Sequence, residues 1–174
     1  MILTALNPEP DGETYCGDST SCRAHQDAAG ARGGSEGQAI GVSRGGPTTK
    51  LHAVVDALGN PVKLLIGPGN EHDIQKAPEL LGELRDANVA LDKAYDSDPL
   101  RPQLEGQNCV PVIPSRKNRL EPRPYDKHVY KERHLVENFW QKIKRNRRVA
   151  TRYEKLAAHF LAFALLASIL VLPA

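Results

Sequence analysis

The chain has 174 residues, 40% hydrophobic, 25% charged and 5% aromatic, which suits one folded domain with a real core and excludes wholesale disorder. Three cysteines without a C-x-x-C pattern (Cys16, Cys22 and Cys109) exclude a disulfide scaffold and a cysteine zinc ribbon, and fit a reducing cytoplasm. The formal charge of +2 hides an asymmetry: residues 1–114 hold 9 Lys+Arg against 16 Asp+Glu, whereas residues 115–155 hold 14 against 5.

Residues 1–13 read as an irregular lead-in. The opening apolar run is too short for a signal peptide and meets Pro8, Glu9, Pro10 and Asp11. Thr14–Asp18 is a short strand candidate ending at an acid. Residues 25–47 contain seven glycines and few large apolar residues, the composition of a flexible loop. Apolar runs at 49–56 and 62–66 flank a Gly59-Asn60 turn and predict an antiparallel hairpin. Ile74, Ala77, Leu80, Leu81 and Leu84 predict a helix over 73–87.

Asn88–Asp92 is a buried strand, again ending at an acid. Ser97 caps a helix reaching about Gly106. Val110–Pro114 is a last strand, placed at a sheet edge by its prolines. Two helices follow, over about 129–145 and 151–170. This order is an α/β pattern with a mixed sheet flanked by helices and a C-terminal apolar helix. The apolar run 160–172 has 13 residues, short of the roughly 17–25 that span a bilayer, so the last helix is expected to be buried or covered by a partner, with no membrane association.

At about 100° per residue, Tyr130, Arg133, Glu137 and Lys144 fall within about 60° of arc. Leu135, Val136, Phe139, Trp140 and Ile143 form the neighbouring apolar stripe. A carboxylate is thus bracketed by an aromatic hydroxyl and two cations, although the Arg133–Glu137 spacing equally makes an ordinary helix ion pair. The dense basic segment attracts a polyanion such as nucleic acid, and equally fits a solvated face balancing the acidic half.

Asp18 and Asp92 each end a predicted strand. If those strands are parallel neighbours, the two carboxylates lie side by side at the carboxyl edge of the sheet, with Glu137 on the helix beyond. Three such oxygen donors suit Mg²⁺, and two ions about 4 Å apart could hold a scissile phosphate. Strand ends also favour aspartate for turn formation alone. His72-Asp73 follows a strand and could approach the same edge. The glycine-rich loop lacks the G-x-x-x-x-G-K-[ST] pattern of a nucleotide-binding loop.

The run Tyr130, two residues, Arg133, three residues, Glu137, six residues, Lys144 carries a resemblance. So do Gly17-Asp18-Ser19-Thr20 with Arg23 and His25, Ser43–Lys50, Asp92-Lys93-Ala94-Tyr95-Asp96 and Arg152-Tyr153-Glu154-Lys155. Together, over about residues 14–172, they resemble the DDE transposases of bacterial insertion sequences, in the insertion-sequence-four and -five groups. The resemblance implies an RNase-H-like fold, with residues 14–174 as the catalytic domain. It implies a metal site at Asp18, Asp92 and Glu137 taking Mg²⁺ or Mn²⁺, as two ions. It implies DNA contacts from Tyr130, Arg133 and Lys144, nicking at element ends, and attack of the freed 3′-hydroxyl on target DNA. Implied partners are the terminal inverted repeats, target DNA, an upstream helical half of the transposase and further copies on DNA, with the nucleoid as location. Such relatives carry a helical region before the first catalytic strand, whereas Met1 here lies 17 residues before Asp18. The alternative expectation is therefore a catalytically silent fragment that binds DNA or another transposase chain.

Overall fold

The computed structural model describes Leu3 and residues 10–172, leaving out the side chain of Glu36. Seven strands form one mixed sheet: β1 (Thr14–Ala24), β2 (Gly41–Ser43), β3 (Gly46–Val55), β4 (Pro61–Pro68), β5 (Asn88–Leu91), β6 (Val110–Val112) and β7 (Thr151–Arg152). The order is β2-β3-β1-β5-β6, with β4 also paired to β3 and β7 to β1. The hairpin expected around Gly59-Asn60 is the antiparallel β3–β4 pair. Its turn needs a left-handed residue, supplied by Gly59 at φ 83°. β1 runs antiparallel to β3 and parallel to β5, and β6 is the parallel edge strand beyond β5, as its prolines required.

Two findings revise the sequence reading. β1 continues six residues past Asp18, because β3 offers it partners from Cys16 to Arg23; Asp18 is a mid-strand residue. Nor is the 25–47 segment structureless. It contains a 3₁₀ turn (Gln26–Ala28), the one-turn helix α1 (Gly34–Gly37) and β2. Gly30, Gly33, Gly34 and Gly46 all adopt positive φ there, so glycine serves turn geometry, which composition alone does not distinguish from flexibility.

Side chains alternate across the sheet and build two cores. On one face Cys16, Cys22, Leu51, Ala53 and Val55 pack against α4 (His134–Ile143) and α6 (Ala157–Ile169), through Val136, Phe139, Trp140, Ile143, Phe160 and Ala164. On the other, Val54, Val89 and Leu91 meet α2 (Asp73–Leu81) and α3 (Leu100–Gly106), through Ala77, Leu80, Leu81, Leu100 and Leu104. The sheet is therefore the middle of three layers, the pattern expected of α/β chains. α2 and α3 are shorter than expected; α3 begins after Pro99, which has helical backbone and takes the capping position predicted for Ser97. The helix expected over 129–145 is a 3₁₀ turn (Val129–Arg133) leading into α4, and α5 (Arg147–Ala150) and β7 precede α6. Among the described residues no helix is long and apolar enough to cross a membrane.

Candidate active site

The parallel β1–β5 register ends with Gly17 opposite Leu91, so the next residue on each chain is Asp18 and Asp92. With two-residue alternation, both follow the face that carries Cys16 and Ala90, the face covered by α4. Gly17 permits the close pairing: a methyl group there would stand 2.5 Å from Leu91 Cδ2, in a fully buried side chain. Asp92 is fixed as the cap of a 3₁₀ turn (Lys93–Tyr95), where its Oδ1 accepts from the Ala94 N–H.

Arg133, at the junction of the 3₁₀ turn and α4, links the acids. Its Nη1 lies 3.4 Å from Asp18 Oδ1, and its Nη2 donates to Glu137 Oε1 one helical turn on. Lys144, at the far end of α4, donates to Thr20 Oγ1 at 2.6 Å and to the Ser21 carbonyl at 3.0 Å. Tyr130 packs edge-on against Tyr125 at 5.4 Å. Burial raises its hydroxyl pKa, Arg133 draws it back, and Asp92 adds to the rise. Of the Tyr-Arg-Glu-Lys run, Arg133 therefore meets β1 at Asp18 and Lys144 meets it at Thr20 and Ser21, while Glu137 is tied to Asp18 through Arg133.

Burial dominates the electrostatics of Asp18 and lifts its pKa to about 6. Arg133 and the Ser19 backbone N–H oppose the shift; Asp92 and Asp73 add to it. Asp73, at the start of α2, is held by Lys50 at 2.8 Å. The Tyr95 hydroxyl is buried without a hydrogen-bond partner among the described residues, and its pKa is raised by burial first, then by Asp73, Asp18 and Asp92. His52, fully buried on β3, also lacks a partner for either ring nitrogen among the described residues; burial drops its pKa to about 4.

Among the described residues no three His, Cys, Asp or Glu side chains stand close enough to hold one ion, because the Arg133 guanidinium lies between Asp18 and Glu137. The donor chemistry nevertheless fits a hard divalent cation: every donor is a carboxylate oxygen, and Asp18 is a partly buried acid whose charge Arg133 compensates only in part.

A cavity of about 760 Å³ opens beside Asp92. Lys50, His72, Asp73, Lys93, Arg116 and Lys117 line it. His72 and Asp73 thus reach the neighbourhood of Asp92, as their position after a strand suggested. The cationic wall was missed in the sequence, although Lys93 follows Asp92 directly and Arg116-Lys117 follow the edge strand.

Comparison with known proteins gives this geometry a family. A transposase DDE domain model matches residues 9–172. A protein named as a transposase for insertion sequence element IS6501 in Brucella ovis is 40% identical over 129 residues, covering 71% of this chain and 97% of that one. Among solved structures, the piggyBac transposase synaptic complex with hairpin DNA aligns with a TM-score of 0.61 at 13% identity, over 92% of this chain and 46% of that one. The Mos1 transposase paired-end complex aligns with a TM-score of 0.40 at 12% identity, over 81% of this chain and 57% of that one. The chain thus spans less than half of the piggyBac protein, whose likeness bears on the fold alone. Its three-layer mixed sheet is RNase-H-like, and the chain belongs to the transposase DDE domain family.

Proposed function

We propose that residues 14–174 are the catalytic unit that cuts phosphodiester bonds at the ends of an insertion sequence and transfers the freed strand to target DNA. Family membership makes this an enzyme domain of DNA transposition. The observation that carries the chemistry is the β1–β5 register, which sets Asp18 beside Asp92 under the helix that bears Glu137.

Asp18, Asp92 and Glu137 would hold the divalent cations, Mg²⁺ or Mn²⁺, as a pair. Such ions, when bound, polarise the phosphate and activate the attacking oxygen. The chain's own residues do the rest. Asp92 is oriented by its bond from the Ala94 N–H. Arg133 offsets part of the charge of Asp18 and Glu137 and presents a guanidinium that suits phosphate oxygens. Lys144 is anchored to β1 and brings its charge to the same strand. Tyr130 and Arg133 with Lys144 form the DNA-contacting row. The partners in this reading are the terminal inverted repeats, target DNA, the upstream helical half and further copies of the chain.

The test is strand nicking of DNA carrying the element's own inverted repeats, with Mg²⁺ or Mn²⁺ and the upstream half supplied. Asp92→Asn and Glu137→Gln should each lower nicking by about 100-fold or more, since a metal-holding carboxylate stabilises the transition state by several kcal/mol. Nicking that survives both substitutions overturns the assignment. DNA binding that is intact in the wild type without any nicking supports the silent-fragment alternative instead.

A further inference from the structure

The cavity beside Asp92 is walled by cations that the row on α4 does not include. Lys93, Arg116 and Lys117 have no carboxylate partner among the described residues. Lys50 is engaged by Asp73 and by the Glu71 carbonyl. This wall is built rather than incidental. Arg116 donates from Nη2 to the Ala94 carbonyl at 2.7 Å and from Nε to the Lys93 carbonyl at 3.3 Å. Its backbone N–H donates at 2.9 Å to Asp96, a buried carboxylate that also holds Arg119 at 2.8 Å. The segment after β6 is thereby clamped to the turn that orients Asp92, and the two lysines flank that clamp.

We propose that this cavity is a seat for a single-stranded segment of DNA on one side of the phosphate being cut, with Lys93, Arg116 and Lys117 as its phosphate contacts. This rests on the reading of Asp18, Asp92 and Glu137 as the cutting site. Displacement at a phosphate places the attacking and leaving oxygens roughly in line, so the strand continues in both directions from the acids. Lys144 serves the side over β1, where it bonds Thr20 and Ser21; the cavity is lined by none of these residues and runs from Lys50 on β3 and the start of α2, past Asp92, to the segment after β6. A cavity of about 760 Å³ is of a size to hold a splayed nucleotide. His72 is the one ring among the lining residues, so charge rather than base stacking supplies the binding. Recognition is therefore tolerant of sequence and steeply dependent on salt.

Fluorescence anisotropy of the full chain with a labelled oligothymidylate strand, over a series of salt concentrations, tests this. Neutralising a phosphate contact changes the slope of log affinity against log salt by about 0.7 for a single strand. The double variant Lys93→Gln/Lys117→Gln should therefore flatten it by about 1.4. The double variant Lys63→Gln/Arg85→Gln, outside the cavity, should leave the slope unchanged. Lys117→Glu should abolish binding, which guards against compensation by Arg116, and thermal melting checks that each variant is folded. An unaltered slope in the Lys93/Lys117 variant, an equal loss in the Lys63/Arg85 variant, or no single-strand binding by the wild type overturns the proposal. Glu137→Gln, outside the cavity lining, ends nicking yet should keep single-strand binding, so failure of the cavity and failure of the acid site are read separately.

Discussion

Partly buried Asp18 and fully buried His52 set opposite pH dependences. Asp18 has its pKa raised from 3.8 to about 6 by burial, against the pull of Arg133. The folded state binds its proton more tightly than the unfolded chain, so the stability it contributes is full below about pH 4 and is lost as pH rises through 6. At pH 7.5 the ionised carboxylate therefore costs stability. Asp18→Asn should raise it by about 1–3 kcal/mol while removing nicking. A thermal melt in chelator checks this, and a lower melting temperature than wild type contradicts it.

His52 behaves in the reverse sense. Its pKa is lowered from 6.5 to about 4 by burial, so its contribution is full above pH 6.5 and is lost as pH falls through 4. His52→Leu should remove about 3 kcal/mol of acid sensitivity between pH 7 and pH 4. Denaturant titrations of both proteins at the two pH values measure the difference directly; parallel losses would sink the argument.

At the level of elements, α4 joins the core to the site. Val136, Phe139, Trp140 and Ile143 are buried against the sheet, and Glu137 lies between the first two of these anchors. Phe139→Ala should cost about 3–5 kcal/mol in urea unfolding, because a large aromatic vacates a close-packed site. A loss below about 1 kcal/mol would mean that α4 is held by other contacts. The apolar stripe of this helix was legible from 3.6-residue periodicity, whereas of the Tyr-Arg-Glu-Lys run only Glu137 lies within it. What periodicity could not reveal is that Tyr130 and Arg133 sit in a 3₁₀ turn, since five residues are too few for its period of about 3.0 to show against about 3.6. The six extra residues of β1 were hidden for a related reason. Ser19, Thr20, Ser21 and Arg23 do not alternate as a half-buried strand would, and their pairing is dictated by β3, far away in the chain.

Over the whole molecule, the β3–β4 hairpin, the edge position of β6 and the neighbouring of the strands that lead to Asp18 and Asp92 were readable, because each follows from a local turn, proline or crossover signal. The cationic cavity was not. It depends on Asp96, Arg116 and Arg119 meeting across the fold, and buried ion pairs between distant residues leave no spacing in the sequence. The acidic first half and basic last third resolve into one object: the sheet supplies the two aspartates, and the later segments supply most of the charges around them.

The parallel pairing of β1 with β5 has a consequence in time. Neither aspartate is useful until the crossover through β3, β4 and α2 has been laid down, and Glu137 joins them only when α4 docks on the finished sheet. Contacts so distant along the chain form late in folding. A chain on which α4 has not yet docked therefore lacks Glu137 beside the two aspartates.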